Sequence, residues 1–245
     1  MGDGELPDQK QRLTQQESML LLSAACCIEE TSLLDFTMSS VARKSEMSMG
    51  TVYKHFYSKE DLIVALCTLS IEHRVQVLEK LFSMFMNTPQ KLAACCLLNT
   101  DKMKRYPFSG ELEVLSASES LLARVSELRR DRLEKANACH DDLVVHLLEA
   151  AINNGELILD DGIERRLNHL FFLILGYLKV GNESKKIVEC RLNDRGHLAI
   201  PERSNSSSCL DTFYHMQINA CHWRSPLDEE GVVIVTDILR ELNLD

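Results

Sequence analysis

The sequence predicts an all-α protein in which a small N-terminal helical domain joins a larger helical one. Three observations carry that expectation. The 245 residues include only 10 Gly and 5 Pro, and long stretches lack both, so a turn-rich β architecture has little to build on. Apolar residues recur with a helical period through most of the chain. Three helix starts follow one another between residues 36 and 62, each with its own capping chemistry.

Taken in order, residues 1–13 read as a polar, disordered tail. Residues 15–30 form an amphipathic helix with Met19, Leu20, Leu22, Ala25, Cys26 and Ile28 on its apolar face. Thr37 caps the next helix, and Phe36 and Val41 stand at the spacing of a hydrophobic staple. Ser48 caps the second, with Met47 and Val52 as staple, and Ser58 caps the third, with Tyr57 and Leu62 as staple and Asp61 at the capping-box position. That third helix runs from Lys59 to about Met86, before Pro89. Further helices are expected over 89–103, 110–124, 126–153 and 161–180, the third of these stopping at Asn154-Gly155. Residues 187–192 and 197–200 flank Asn193-Asp194-Arg195-Gly196, which reads as a small β-hairpin near 187–200. Two helices close the chain, one over 208–223 and one capped by Ser225 with Pro226 at its first position and Asp228 completing the cap. The expected organisation is thus a tail over 1–13, a three-helix domain over 14–60 and a helical domain over 61–245.

The net charge is −10 and the isoelectric point about 5.3, which argues against a general, non-specific nucleic-acid binder. Any contact with a polyanion must then be confined to a local basic patch. One exists: between Thr37 and Lys59 there are four positive residues (Arg43, Lys44, Lys54, Lys59) and one negative (Glu46), a local +3. The nine cysteines read as reduced thiols serving as small core residues. Cys139-His140 and Cys221-His222 lack the spacing of a metal site, so neither metal nor cofactor is expected. The polar start MGDGELPDQKQR has no signal-peptide core, and the most apolar run, Leu170–Leu178, is too short to span a bilayer. A cytoplasmic protein without a membrane partner is expected.

The helix of residues 48–56 is the informative element. Val52 and Phe56 form its inward face, with Met47 in the preceding turn. The rest, Met49, Gly50, Thr51, Tyr53, Lys54 and His55, are donors, acceptors and small or flat groups. A helix presenting such groups at its N-terminal end can meet base edges in a major groove. Gly50 allows close backbone approach, and Tyr53, His55 and Lys59 can reach phosphates.

The stretch FTMSSVARKSEMSMGTVYKHFYSKEDLIVAL resembles the helix-turn-helix signature of the TetR/AcrR regulators. The matching features are Thr37 and Val41-Ala42, Ser48 with Gly50-Thr51-Val52-Tyr53, His55-Phe56, and Ser58-Lys59-Glu60-Asp61-Leu62, within a likeness covering roughly residues 17–70. The sequence departs from the family twice. Glu46 replaces the usual Gly between the two helices, and Ser32 or a neighbour replaces the usual Gly before the first. Since Glu in a left-handed turn costs about a kcal/mol or more, the turn is expected to adopt a conformation that a non-Gly residue tolerates.

The resemblance implies a cytoplasmic homodimer that binds a double-stranded DNA operator through Thr37, Ser48, Met49, Gly50, Thr51, Tyr53, Lys54, His55 and Lys59. It implies a second domain for ligand binding and dimerisation, the dimer built from 161–180 with one of the last two helices. A small apolar effector would release the repressor, with Phe85, Met103, Tyr106, Phe171 and Tyr177 as candidate ligand residues. The other readings are a DNA-binding regulator controlled by a protein partner, an architectural DNA binder, or an all-α adaptor or ligand carrier with a degenerate helix-turn-helix. An enzyme is not expected, because no nucleophile–base set, paired catalytic carboxylates or phosphate-cradling glycines stand in supporting context.

Overall fold

Each early helix starts where a small polar side chain can take an otherwise unpaired backbone N–H, and the rest of the fold is laid out from there. The computed structural model describes residues 9–180, 191–192, 198–199 and 218–245. Its helices are α1 (Gln9–Glu30), α2 (Met38–Lys44), α3 (Met49–His55), α4 (Lys59–Phe82), α5 (Thr88–Leu97), α6 (Ser109–Ser116), α7 (Glu119–Leu122), α8 (Glu127–Asn153), α9 (Ile163–Val180) and α10 (Glu229–Glu241). A 3-10 turn occupies Thr100–Met103, and two short strands, β1 (Arg191–Leu192) and β2 (Leu198–Ala199), pair antiparallel with Arg191 opposite Ala199. That pairing lies inside the predicted hairpin, whose turn falls outside the described residues.

The chain divides into two compact units. The first takes residues up to His73 together with Arg105–Ala138, and the second takes Arg74–Lys104 and Cys139–Asp245. In the first, Leu20, Ala24 and Ile28 of α1 pack with Phe36, Val41, Val52, Phe56, Leu62 and Leu66, and Leu112, Val125 and Leu133 complete the core. Burying each such side chain is worth about 1.5–3 kcal/mol. The second unit is built round α5, on which α9 and α10 pack. Leu92, Ala94, Cys95 and Cys96 of α5 are buried, as a helix enclosed on all sides requires. Val144, Ile174, Leu178, Trp223 and Val235 surround them. Burial pushes the Cys95 thiol up to about 12, so it behaves as an inert apolar group. The cysteines among the described residues are free thiols.

Several boundaries differ from the sequence reading. Helix α1 begins at Gln9, inside the expected tail. The third staple does not form: Tyr57 is 81% exposed. Asp61 takes its place, accepting the Tyr57 N–H at 3.0 Å while Ser58 accepts the Asp61 N–H at 3.1 Å. The expected helix 89–103 breaks at Leu98, and the Asn99 N–H bonds to the Leu244 carbonyl at 2.7 Å. The expected helix 110–124 divides at Ser118, whose backbone is extended. Helix α10 is capped by Asp228, not Ser225: its carboxylate accepts the Gly231 N–H at 2.7 Å. Pro226 stays outside because the Asn219 side chain holds both the N–H and the carbonyl of Leu227. Of the expected helix 208–223, Ile218 and Asn219 are helical and residues 208–217 lie outside the described residues. The stop after α8 is as expected, with Gly155 at φ 68°.

Candidate nucleic-acid interface

The α2–α3 pair is fixed by its ends. The Thr37 hydroxyl accepts the Ser40 N–H and the Ser40 hydroxyl accepts the Thr37 N–H, both at 3.1 Å, a reciprocal cap at the start of α2. The Ser48 hydroxyl accepts the Thr51 N–H at 3.1 Å and lies 3.0 Å from the Thr51 hydroxyl. Both residues therefore work for the fold as caps. Between the helices Glu46 has φ 56°, the left-handed region. This corrects the expectation of an ordinary turn. The Glu46 N–H reaches the Arg43 carbonyl at 3.3 Å and the Met47 N–H reaches the Ala42 carbonyl at 3.0 Å. Together they make a Schellman ending with Glu at the position that favours Gly.

That turn presents α3 with Val52 and Phe56 fully buried and Met49, Gly50, Tyr53 and Lys54 exposed on one face. A Cβ added to Gly50 would meet only the Ser48 Oγ, at 3.7 Å, so the fold itself does not require glycine here. His55 turns inward, its Nε2 3.3 Å from Gln16 Oε1 of α1. Burial lowers its pKa, with Lys54 and Arg129 acting the same way and Glu17 opposing.

The basic patch is partly engaged by the protein. Lys44 pairs with Glu30. The Lys59 ammonium donates to the Leu34 carbonyl at 2.6 Å and sits 4.4 Å from the centre of the Phe36 ring. Its pKa is lowered by burial, against Asp35 and Glu60. Arg43 and Lys54 remain exposed.

Two residues that sequence reasoning missed complete the site. Arg129 of α8 donates from Nη1 to Glu17 Oε1 at 2.6 Å and from Nη2 to the His55 carbonyl at 3.3 Å, with its guanidinium 4.6 Å from the centre of the Phe56 ring. Burial raises the Glu17 pKa, but Arg129 and Arg132 outweigh it and hold the carboxyl below its usual range. More than a hundred residues separate Glu17 from Arg129, and no periodicity connects them.

A family model, the tetR family of bacterial regulatory proteins, matches residues 20–66, which span α1 to the start of α4. Residues 20–66 therefore carry the N-terminal helix-turn-helix module of the tetR family. Solved structures of similar fold cover nearly their whole length. NemR of E. coli in its reduced form has a TM-score of 0.54 at 21% identity, over 85% of this chain and 99% of that one. RolR in complex with resorcinol has a TM-score of 0.51 at 12% identity, over 93% and 96%. A protein described as a TetR-family transcriptional regulator, from Mesorhizobium loti, has a TM-score of 0.52 at 15% identity, over 85% and 96%. No curated protein matches the chain. The chain thus shares the all-α fold of these structures along most of its length.

The five candidate ligand residues do not share one environment. Met103 is 2% exposed and Phe171 is half-buried, both against the core of the second unit. Tyr106 belongs to the first unit, where it stacks on Phe108 at 5.2 Å. Phe85 is fully exposed. The Tyr177 side chain lies outside the described residues. A surface depression of about 680 Å³ in the second unit is lined by Asp160, Arg165, His169 and Phe172 among others, and none of the four candidates among the described residues lines it. Among the described residues no helix is long and apolar enough to cross a membrane, and no three His, Cys, Asp or Glu side chains group as metal ligands.

Proposed function

We propose that this protein is a tetR-family regulator that reads double-stranded DNA as a homodimer, placing α3 of each copy in successive major grooves, and that it is a repressor released by a small apolar effector. Met49, Gly50, Tyr53 and Lys54 meet the bases and nearby phosphates. Thr37, Ser48 and Thr51 hold the starts of α2 and α3 while facing the same backbone. The observation that carries the reading is the exposed face of α3, where a glycine that the fold does not need stands among a flat aromatic, a thioether and an exposed cation. Glycine in a helix costs about 1 kcal/mol relative to Ala. Its presence on an exposed face is accounted for by close approach of another molecule's backbone.

Two recognition helices must stand about 34–36 Å apart to enter adjacent turns of a duplex. An effector in the second unit acts by favouring a state in which that spacing is lost. RolR, of similar fold, was solved with resorcinol, a precedent for a small aromatic effector. For the dimer, α9 offers an exposed stripe of Arg165, His169, Phe172 and Gly176, and α10 offers Val233 and Ile234.

The test is an electrophoretic shift with the DNA upstream of the protein's own gene. Wild type binds as a dimer. The double variant Tyr53→Ala, Lys54→Ala loses about 10- to 100-fold or more in affinity with its thermal midpoint nearly unchanged. A variant that binds like wild type shows α3 is not the reading helix. Wild type that shifts no genomic fragment at low salt overturns DNA reading in favour of an all-α adaptor or ligand carrier.

A further inference from the structure

We propose that Arg129 is a positioning residue for the recognition helix: a latch that fixes the C-terminal end of α3 to α1 and to the first turn of α8. The inference rests on the DNA reading of α3 proposed above and names how that surface is held.

Helix α3 has only seven residues, too few to be stable by itself. Its start is held by Ser48 and its inward face by Val52 and Phe56. The Val52 carbonyl accepts the Phe56 N–H at 2.9 Å, and the later carbonyls of that turn have no partner within the helix. Arg129 meets that end. One guanidinium donates to the His55 carbonyl at 3.3 Å, donates to Glu17 Oε1 at 2.6 Å and stacks on Phe56, with its side chain only 6% exposed. Arg132 adds a second contact to Glu17 at 3.2 Å, and the His55 ring reaches Gln16 on the same stretch of α1. A planar fork can lie flat on a ring while bonding in two directions within its plane, whereas an ammonium has no plane to stack and no fixed fork. The position of Tyr53 and Lys54, two residues and one residue before His55, is therefore tied to the first turn of α8. That helix is continuous from Glu127 to Asn153 and supplies residues to both units. A change at the start of α8 has a direct route to the reading face through a single side chain.

The experiment uses the full chain with Arg129→Lys and Arg129→Met. Backbone hydrogen exchange is followed over residues 48–58, and affinity is measured for the fragment upstream of the protein's own gene. Lysine keeps a charge for Glu17 but not the fork, so Arg129→Lys folds with a thermal midpoint close to wild type. Exchange at Lys54–Phe56 rises about tenfold while α1 and α4 stay protected, and affinity falls about tenfold. Wild-type exchange at Lys54–Phe56 in both variants overturns the latch. So does exchange that rises equally through α1, α3 and α4, because that is the signature of a general structural role. If Arg129→Met does not fold, Glu17→Gln joins Arg129→Lys, and α3-selective loosening in both supports the latch. Wild type that fails to bind DNA overturns the reading on which recognition depends, and the exchange pattern alone then decides whether the latch exists.

Discussion

Replacing Glu46 by glycine should stabilise the protein. Glu46 sits at φ 56° with both Schellman hydrogen bonds formed. A non-glycine residue in that region costs about 1–2 kcal/mol. Glycine removes this cost but raises the entropy of the unfolded chain, which returns about 0.4–1 kcal/mol. The net gain is about 0–1.6 kcal/mol, with a central value of about 0.8 kcal/mol. The unit that contains the turn has on the order of a hundred residues, so this corresponds to a rise in its thermal midpoint of about 2–6 °C. The glycine variant also removes the one negative charge in the 37–59 stretch, so a control must separate charge from strain. Glu46→Ala does so: it makes the same charge change and keeps a Cβ in the left-handed position. Urea denaturation of the three proteins reads the difference as a shift in midpoint at constant slope. Glu46→Gly above wild type and above Glu46→Ala is the expected order. Equal stability of the Gly and Ala variants would refute the strain argument, because the gain would then be electrostatic.

The other predictions follow from the same geometry. Gly50→Ala should raise the thermal midpoint, since alanine is better in a helix by about 1 kcal/mol and meets only the Ser48 Oγ, and it should weaken DNA binding in a gel shift; undiminished binding would remove Gly50 from the interface. Asp61→Ala should lower the unfolding free energy read from urea denaturation by about 2 kcal/mol or more, because the 1%-exposed carboxylate accepts the N–H groups of Tyr57 and Ser126, the latter at 2.8 Å. Glu17 is held below its ordinary value of 4.5, so its stabilisation is complete above that pH and is lost as pH falls below it through the folded value. The urea-midpoint gap between wild type and Glu17→Gln should accordingly shrink on acidification below about 4.5, and a pH-independent gap would count against the Arg129–Glu17 pairing. If the proposed dimer meets DNA with Arg43 and Lys54 as the exposed cations of each copy, it neutralises about four phosphates, and log affinity should fall with log salt at a slope of about −3.6; a slope near −7 would show that Lys44 and Lys59 leave their protein partners on binding.

Much of the reading domain was legible because its chemistry is local. Thr37 and Ser48 each act within three or four residues of chain, and so does the Asn154-Gly155 stop. Where a local rule failed, another interaction had outweighed it. The third staple gave way because Asp61 fixes the entry to α4 through the Tyr57 N–H. The start of α10 moved because Asn219 holds the Leu227 backbone. Glu46 accepts a left-handed backbone because two hydrogen bonds and the partial burial of Met47 favour the tight turn. The candidate ligand residues were legible only as apolar. Met103 and Tyr106 are three positions apart yet belong to the cores of different units, and spacing along a chain carries no information about that.

The basic patch shows how a correct count can still conceal how the charges are used. Four cations within 37–59 invite the inference that all face phosphate. Lys44 instead neutralises Glu30, and Lys59 closes the α1–α2 connection through the Leu34 carbonyl and the Phe36 ring. Removing Lys59 from that position would leave a carbonyl without its donor and a ring without its cation. The cation available at the recognition helix is then Lys54, with Arg43 on the preceding helix. In a chain of net charge −10 so small a positive surface gives little non-specific attraction to DNA. On the DNA reading proposed above, binding depends more on groove contacts made by Met49, Gly50 and Tyr53 than on charge. Such contacts require α3 to be held rigidly, and that is the task the Arg129 latch is placed to perform.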